Sequence, residues 1–337
     1  MSAGGADRPA DGRADEVSER TPGGSDGRVA GHPAEVGERG PGDPVAGRAG
    51  RPSRPWGVPL VRDVVLVTGP DAAGFLQGQL SQEVAGLAVG ASAASLLLSP
   101  QGHLVALLRV TRTGEESFAL DSDGGSGEAV VGRLQRFLLR TKAVISAVDW
   151  TCVAVRGEGA VAAEGLPDGV WPVEAETPGA PGYDLLGPTA ALPAGVEPGD
   201  PADYEALRIE RGVPRMGREL TERTIPAEAG VVERAASFTK GCYTGQELVA
   251  RIDSRGGNVP RRLRGIVVEG PEVPPAGATV TVGGVEVGSV TSSARSATLG
   301  APVALAYAKR GTEVPSPCRL RWDGAHADGR LLELPLV

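Results

Sequence analysis

Cysteine is scarce in this 337-residue sequence, which holds only Cys152, Cys242 and Cys318 and no CxxC pair. So sparse and odd a count argues against a disulfide framework and in favour of a reducing compartment. It also leaves no ligand spacing that is typical of a zinc or iron site. We therefore expect a cytoplasmic protein with no metal site.

Long apolar runs are missing as well. No stretch of 18 apolar residues is present, which argues against a transmembrane helix, and the N-terminus lacks the apolar core of a secretory signal. The formal net charge is −8, whereas a general nucleic-acid binder needs a basic face. We interpret the short cluster Arg261-Arg262-Leu263-Arg264 as the solvated start of a strand. The expected chain is a monomer that binds neither membranes nor nucleic acids.

Residues 1–55 contain no Leu, Ile, Phe, Tyr or Trp. A segment of this composition cannot bury enough apolar surface to offset the entropy lost on ordering. We interpret it as a disordered N-terminal extension and expect order to begin near Trp56.

Short apolar runs of strand length follow, separated by turn residues and by two amphipathic patterns of helical period. The predicted strands span residues 64–68, 95–99, 104–110, 117–120, 144–148 and 151–155, and the predicted helices span 71–80 and 128–139. Three strands, a helix and further strands in this order indicate an α+β unit with an antiparallel sheet.

The last third of the chain changes character. A helix is predicted over 200–212, with Asp200 as its N-cap, Pro201 in its first turn and Gly212 after its end. From Arg262 onwards short strands alternate with turns, among them Gly283-Gly284, which suits a tight hairpin. This pattern predicts a small β-barrel or sandwich after a domain boundary near residue 260.

The segment Lys240-Gly-Cys-Tyr-Thr-Gly-Gln-Glu247 is the most unusual in the sequence. Thr244 and Glu247 have the spacing of a capping box, which predicts a helix that runs to about Ser254. Cys242 would then precede a helix N-terminus, where the helix dipole and Lys240 favour a thiolate. Cys242 is therefore either a reactive thiol or a small buried residue in a turn.

The same eight residues, followed by Val249-Ala-Arg251, resemble the signature of the YgfZ family of folate-binding proteins. This family is related to the glycine-cleavage T-protein in the aminomethyltransferase superfamily. Two other segments agree in order: Phe75–Leu80 resembles the family's first helix, and Arg208–Gly212 resembles an Arg-hydrophobic-Glu-x-Gly segment of the T-protein. With its C-terminal strands included, the resemblance covers residues 56–337.

The resemblance implies an α+β fold of three domains, arranged as a clover leaf around a central hole that binds tetrahydrofolate. It further implies that residues 56–95 and 200–260 form the two halves of the folate-binding domain. Residues 96–199 would then form a ferredoxin-like α+β domain, and residues 261–337 a small C-terminal β-barrel.

The resemblance also implies site residues. Glu210 would hydrogen-bond the pterin, since a carboxylate can accept hydrogen bonds from two N–H groups at once. The alternative is that Glu210 is only a surface charge of the helix, beside Arg211. Arg251 would meet the carboxylates of the folate tail or, alternatively, form an ion pair. Within the motif, Cys242 with Lys240 would provide the functional thiol, and Tyr243 and Gln246 would contact the cofactor.

One departure from the T-protein bears on activity. T-proteins carry an Asp shortly after the Gly of the first hairpin, but Gly102–Leu108 has no acid, and His103 is its only ionisable residue. Loss of a proton-transfer group costs about two to four orders of magnitude in rate. We therefore expect a folate-binding accessory protein. The resemblance implies that it supports iron–sulfur cluster assembly or repair, with iron–sulfur proteins or their assembly machinery as partners. The alternatives are a folate-dependent one-carbon transferase or demethylase, and a β-barrel interaction module.

Overall fold

The structure is a computed structural model that describes residues 54–162, 165–254 and 257–337. The predicted disordered extension, apart from residues 54 and 55, lies outside the described residues. In chain order the strands are β1 (Trp56–Leu60), β2 (Arg62–Thr68), β3 (Ser92–Leu98), β4 (Leu104–Gly114), β5 (Ser117–Asp123), β6 (Val144–Val148), β7 (Thr151–Arg156), β8 (Trp171–Glu174), β9 (Gly182–Gly187), β10 (Glu197–Pro198), β11 (Arg261–Val268), β12 (Thr279–Val282), β13 (Val285–Ser296), β14 (Ala301–Lys309), β15 (Ser316–Trp322) and β16 (Ala325–Leu332). The helices are α1 (Ala72–Gln79), α2 (Gly127–Gln135), α3 (Pro201–Glu210), α4 (Val232–Ala235) and α5 (Gln246–Ser254), with a 3-10 turn at Pro226–Glu228.

The first sheet is antiparallel and has the strand order β3-β4-β5-β2-β6. Alternate residues of its strands, such as Val65 and Val67, pack against Leu76 of α1 and Leu134 of α2 in one apolar core. Five of the predicted strands lie in this sheet, so the antiparallel α+β prediction is confirmed. Helix α2 ends at Gln135, short of the predicted residue 139, and the chain turns through Arg140 to enter β6.

The second sheet has the order β10-β1-β7-β9-β8. Its strands come from residues 56–60 and 151–198, whereas those of the first sheet come from residues 62–148. The boundary that was expected between residues 95 and 96 falls inside β3. That strand pairs with β4 across the whole hairpin, with Ser95 opposite Leu108, so the ladder holds both sides of the expected boundary in one sheet.

The C-terminal strands close into a six-stranded barrel with the order β11-β14-β13-β12-β15-β16. This confirms the barrel that was predicted from residue 261 onwards. Helix α3 begins as expected, because Asp200 Oδ1 accepts a hydrogen bond from the amide of Ala202 at 2.9 Å and Pro201 fills the first position. Ile209 of this helix packs against Leu263 and Leu305 of the barrel, which attaches the helix to that body.

A chain of buried charges joins the two sheets. Asp121 of β5 accepts hydrogen bonds from Arg62 and Arg109, and Arg109 Nη1 also donates to Asp184 of β9 at 2.7 Å. Arg156 of β7 donates to the second oxygen of Asp184, again at 2.7 Å. All five side chains are almost fully buried. These ion pairs fix the orientation of one sheet relative to the other at the place where both face a common cavity.

Among the described residues, no helix is both long and apolar enough to cross a membrane.

Candidate functional site

Two adjoining cavities lie where the two sheets, the segment after α3 and the barrel meet. The smaller cavity has a volume of about 210 Å³ and the larger of about 620 Å³. Pro178, Val213 and Arg234 line both, so the two spaces share a wall. Together they place a ligand-sized space between the three bodies of the fold.

The smaller cavity combines apolar walls with a dense set of charges. Ala94, Leu107 and Leu108 from the β3–β4 hairpin form one wall, and Val213 and Pro214 form part of another. Its charged lining residues are Arg62, Arg109, Arg234, Asp123, Glu174 and Glu176. A cavity with flat apolar walls and a few convergent polar groups is the usual form of a small-molecule site.

Glu176 is held by Arg62 through two hydrogen bonds, each 2.8 Å long. Burial by itself would raise the pKa of Glu176, but the positive charge of Arg62, aided by Arg109, lowers that pKa to about 2. Glu176 is therefore ionised at neutral pH and fixed in position, as a bidentate pair with arginine requires.

Asp123 lies at the end of β5 and behaves differently. One of its oxygens accepts from Arg62 at 3.2 Å, and the other accepts from the amide of Met216 at 2.9 Å. Burial raises the pKa of Asp123 above its usual range, and nearby Glu176 adds to this, although Arg62 opposes it. A carboxyl group with a raised pKa can hold or transfer a proton closer to neutral pH than an ordinary aspartate.

Arg234 of α4 stands at the wall shared by both cavities. The described hydrogen bond of its guanidinium is a 3.3 Å bond from Nη1 to the carbonyl oxygen of Glu176. Burial lowers the pKa of Arg234, while Glu176 and Asp123 oppose this change. Because a guanidinium has five N–H donors, Arg234 keeps donors for a ligand that reaches this wall.

The larger cavity connects this site to the motif segment. Phe238, which precedes the motif, and Val249, Ile252 and Asp253 of α5 line one side. The barrel contributes Arg262 and Arg264 at the start of β11, and the C-terminal segment contributes Leu334 and Pro335. The motif therefore borders the cavity through the residues on either side of it.

Lys240 anchors the motif to the end of α1. Its Nζ donates to the carbonyl oxygens of Gln77, Leu80 and Gln82 at 2.7, 2.8 and 2.8 Å. Burial lowers the pKa of Lys240 to about 8, although the charge of Glu83 opposes the shift. The ammonium thus uses its three donors on the C-terminal end of a helix, where a positive charge is favourable, and not on Cys242.

The predicted capping box is replaced by a related arrangement. Thr244 Oγ1 donates to Gly78 O and Gln79 Oε1 of α1 at 3.4 and 3.3 Å, so it does not cap α5. Gln246, and not Glu247, reaches back, because its Oε1 accepts from the amide of Tyr243 at 3.1 Å. Helix α5 is described over Gln246–Ser254, which agrees with the helix expected as far as about Ser254.

Two glycines allow the motif to pack closely on the β3–β4 hairpin. Gly245 has φ +84°, and a Cβ atom there would lie 2.5 Å from the carbonyl oxygen of Ser99. Gly102, in the hairpin turn, has φ +83°, and its Cβ would lie 2.5 Å from Leu248 Cβ. Side chains at these positions would force the start of α5 away from the first sheet.

Cys242 is exposed, whereas Cys152 and Cys318 are buried. Burial raises the pKa of Cys152 to about 12 and that of Cys318 to about 11. Lys240, Thr244, Gly245 and Gln246 make contacts that hold the motif in place, whereas the side chains of Cys242 and Glu247 are exposed. This leaves the thiol accessible to another molecule.

The remaining predicted site residues lie outside the cavity linings. Glu210 is fully buried; its Oε1 accepts from Ser296 Oγ of the barrel at 2.6 Å, and its carbonyl oxygen accepts from the amide of Leu336. Arg251 is on the exposed face of α5. Tyr243 packs beside Val249 in the apolar cluster under the hairpin.

Sequence reasoning missed the charged lining of the smaller cavity. It found no acid in the stretch Gly102–Leu108, and the structure indeed places Leu107 and Leu108 of that stretch on an apolar wall. Asp123, Glu174 and Glu176 supply carboxylates from other strands and loops. One sequence feature could have indicated an acidic lining: the run Asp121-Ser-Asp123 ends an apolar strand with two acids.

Among residues 54–162, 165–254 and 257–337, no group of three or more His, Cys, Asp or Glu side chains is placed to hold a metal ion.

Comparison with known proteins relates this chain to aminomethyltransferases and to an iron–sulfur cluster assembly factor. Residues 261–337 match the family model of the glycine cleavage T-protein C-terminal barrel domain. An aminomethyltransferase of Thermus thermophilus is 30% identical over 305 residues, which cover 81% of this chain and 84% of that protein. A mouse protein named iron-sulfur cluster assembly factor IBA57, mitochondrial, is 32% identical over 237 residues, covering 62% and 65%. The glycine cleavage system aminomethyltransferase T of Bartonella henselae has the same fold, with a TM-score of 0.74, 21% identity and coverage of 85% and 87%.

Proposed function

The chain belongs to the aminomethyltransferase superfamily that includes the glycine-cleavage T-protein, and from this premise we propose that it is a YgfZ-type protein that binds tetrahydrofolate and supports assembly or repair of iron–sulfur enzymes. The observation that carries the proposal is the motif segment. Lys240, Tyr243, Thr244 and Gln246 anchor it beside a ligand-sized cavity, while the thiol of Cys242 is exposed.

The chemistry of the cavities supports a folate ligand. A reduced pterin is a flat ring with several N–H donors, and it suits a slot with apolar walls and carboxylate acceptors. We assign Asp123 and Glu174 of the smaller cavity to these donors, and Arg234 to an acceptor group of the ligand. The larger cavity next to it offers room for the rest of the molecule.

In this proposal Glu210 acts indirectly, by fixing the position of residues that line the larger cavity. Its carboxylate and carbonyl fix the end of α3 to the barrel and to the C-terminal segment. The next residues, Arg211 to Val213, line the larger cavity. Tyr243 and Gln246 shape the motif in a similar way. In this proposal the exposed Arg251 would meet carboxylates of a ligand tail that leaves the cavity.

The role in iron–sulfur metabolism rests on the exposed thiol and on the likeness to a mouse protein that is named as an iron–sulfur cluster assembly factor. A single thiolate does not hold a cluster, since protein clusters usually take four ligands. Cys242 would therefore act in contact with a partner protein that carries the remaining ligands.

Gene deletion followed by assays of iron–sulfur enzymes tests this proposal. We expect reduced activities, restored by the intact gene but not by a Cys242→Ser variant. Cys318→Ala serves as the matched control, because it removes a thiol that is buried in the barrel. Unchanged activities after deletion, or full restoration by Cys242→Ser, would rule the role out.

A second candidate function, folate-dependent one-carbon transfer or demethylation, is favoured by Asp123. A carboxyl group with a raised pKa in the cavity wall could move a proton during such a reaction. The test is incubation of purified protein with tetrahydrofolate and a range of methylated and aminomethyl donors. Turnover that disappears in Asp123→Asn would support an enzyme; absence of turnover with every donor leaves the accessory role.

A further inference from the structure

We propose that the open edge of β6, together with the basic turn before it, is a docking site for an extended acidic segment of a partner protein. This surface includes none of the cavity-lining residues and no part of the motif. It therefore stands independently of folate binding and of Cys242.

Strand β6 is the last strand of the first sheet and pairs with β2 alone. In the described part of the chain, no backbone hydrogen bond outside the β2–β6 ladder involves Val144–Val148. Half of the peptide groups of an edge strand point away from its partner and are open to a further strand. Addition of an extended peptide to such an edge is a common mode of peptide recognition.

Exposed apolar side chains accompany this edge. Leu139 is 82% exposed and Val144 is 63% exposed, and they stand at the two ends of the turn that leads into β6. Proteins commonly counter the stickiness of an edge strand with charges or a covering loop. Here the strand itself, from 144 to 148, has no charged residue, so the edge remains available for pairing.

The charges around the edge indicate the kind of partner. Arg136, Arg140 and Lys142 are exposed, and no acid occurs between residues 136 and 148. None of the ion pairs among the described residues involves these three cations. The carboxylate of Asp71 accepts from the backbone amide of Lys142, and Asp149 follows the last residue of β6. In a chain with a net charge of −8, this local excess of positive charge favours an acidic partner and speeds its encounter.

Arg140 adds an observation about the backbone. Its φ is +56°, in the left-handed region that a non-glycine residue adopts at a cost in strain. Glycine would fit this turn with less strain. Replacement of Arg140 by glycine can therefore remove the cation without disturbing the turn.

The test uses the full-length protein and a short fluorescein-labelled peptide in which Glu alternates with Val, with a matched peptide in which Lys replaces Glu. We expect anisotropy titrations to show binding of the acidic peptide that weakens with salt, and binding of the Lys peptide at least about tenfold weaker. Amide hydrogen exchange of residues 144–148 should slow when the acidic peptide binds.

Variants distinguish the proposal from a general charge effect. Arg140→Gly removes the cation while keeping the turn, so this variant should stay folded and bind the acidic peptide several-fold more weakly. The double variant that also carries Lys142→Gln should show no measurable binding. The control variant Arg319→Gln removes a barrel cation and should change nothing. Equal binding of both peptides, or unchanged exchange at 144–148, would overturn the proposal. So would concentration-dependent dimers that protect β6, because the edge would then serve a second copy.

Discussion

Removal of the Asp184 carboxylate should be the most destabilising single change in the junction between the two sheets. Asp184 pairs with Arg109 and Arg156 at 2.7 Å each, and all three side chains are almost completely buried. After Asp184→Ala, Arg109 keeps Asp121, but Arg156 keeps only neutral acceptors such as Thr177 Oγ1 and the carbonyl of Tyr183. A guanidinium would then be buried without a counter-charge.

Breaking one partner of a buried ion pair typically costs about 3–5 kcal/mol. We therefore expect Asp184→Ala to lower the free energy of unfolding, measured by urea denaturation, by about that amount. Asp328→Ala, which removes the carboxylate of an exposed pair with Arg319 on the barrel, is the matched control and should have little effect. Asp184→Asn, which keeps some hydrogen bonding, should fall between the two. If Asp184→Ala and the control were equally stable, the argument that these charges fix the two sheets would be wrong.

Other outcomes follow from single contacts. In the folded protein, Cys242 should react with a thiol reagent, whereas Cys152 and Cys318 should react only on unfolding. Both of these thiols are buried, with pKa values of about 12 and about 11. Similar rates for all three thiols in native buffer would count against this. Lys240→Met should lower the free energy of unfolding by about 1–3 kcal/mol, since three carbonyls at the end of α1 lose their donor, and hydrogen exchange in residues 240–247 should accelerate. Glu176→Gln should be less stable than the parent protein above pH about 4.5. Because the folded-state pKa of Glu176 is depressed from 4.5 to about 2, this difference should shrink as the pH falls towards 2; a difference that stays constant with pH would argue against the Arg62–Glu176 pair.

The fold could be predicted well from the sequence where local patterns decide it. The apolar run Val64–Val67, the cap at Asp200 and the glycine turn of the barrel each act over a few residues, and the structure confirms the elements that they predict. The grouping of strands into sheets could not be obtained in this way. It depends on pairings such as Trp56 with Arg156, which join residues that are far apart in the sequence.

The same distinction applies to the candidate site. The motif could be found because its residues are contiguous, but the partners of Lys240 lie in the last turn of α1 and just after it, more than 150 residues away. The smaller cavity is harder still to predict. Arg62, Asp123, Glu176 and Arg234 come from four separate segments. Apart from the position of Asp123 at the end of an apolar strand, nothing local distinguishes them from solvated surface charges.

Calorimetric titration with 5-formyltetrahydrofolate tests the central claim most directly. The intact protein should bind with measurable heat, and Leu107→Trp, which would fill the smaller cavity from its apolar wall, should abolish binding. Asp123→Asn should weaken binding by at least about tenfold, which is 1.4 kcal/mol. Arg319→Gln on the barrel surface should have no effect. Binding that is unchanged in Leu107→Trp, or no binding by the intact protein, would contradict a folate site between the three bodies of the fold.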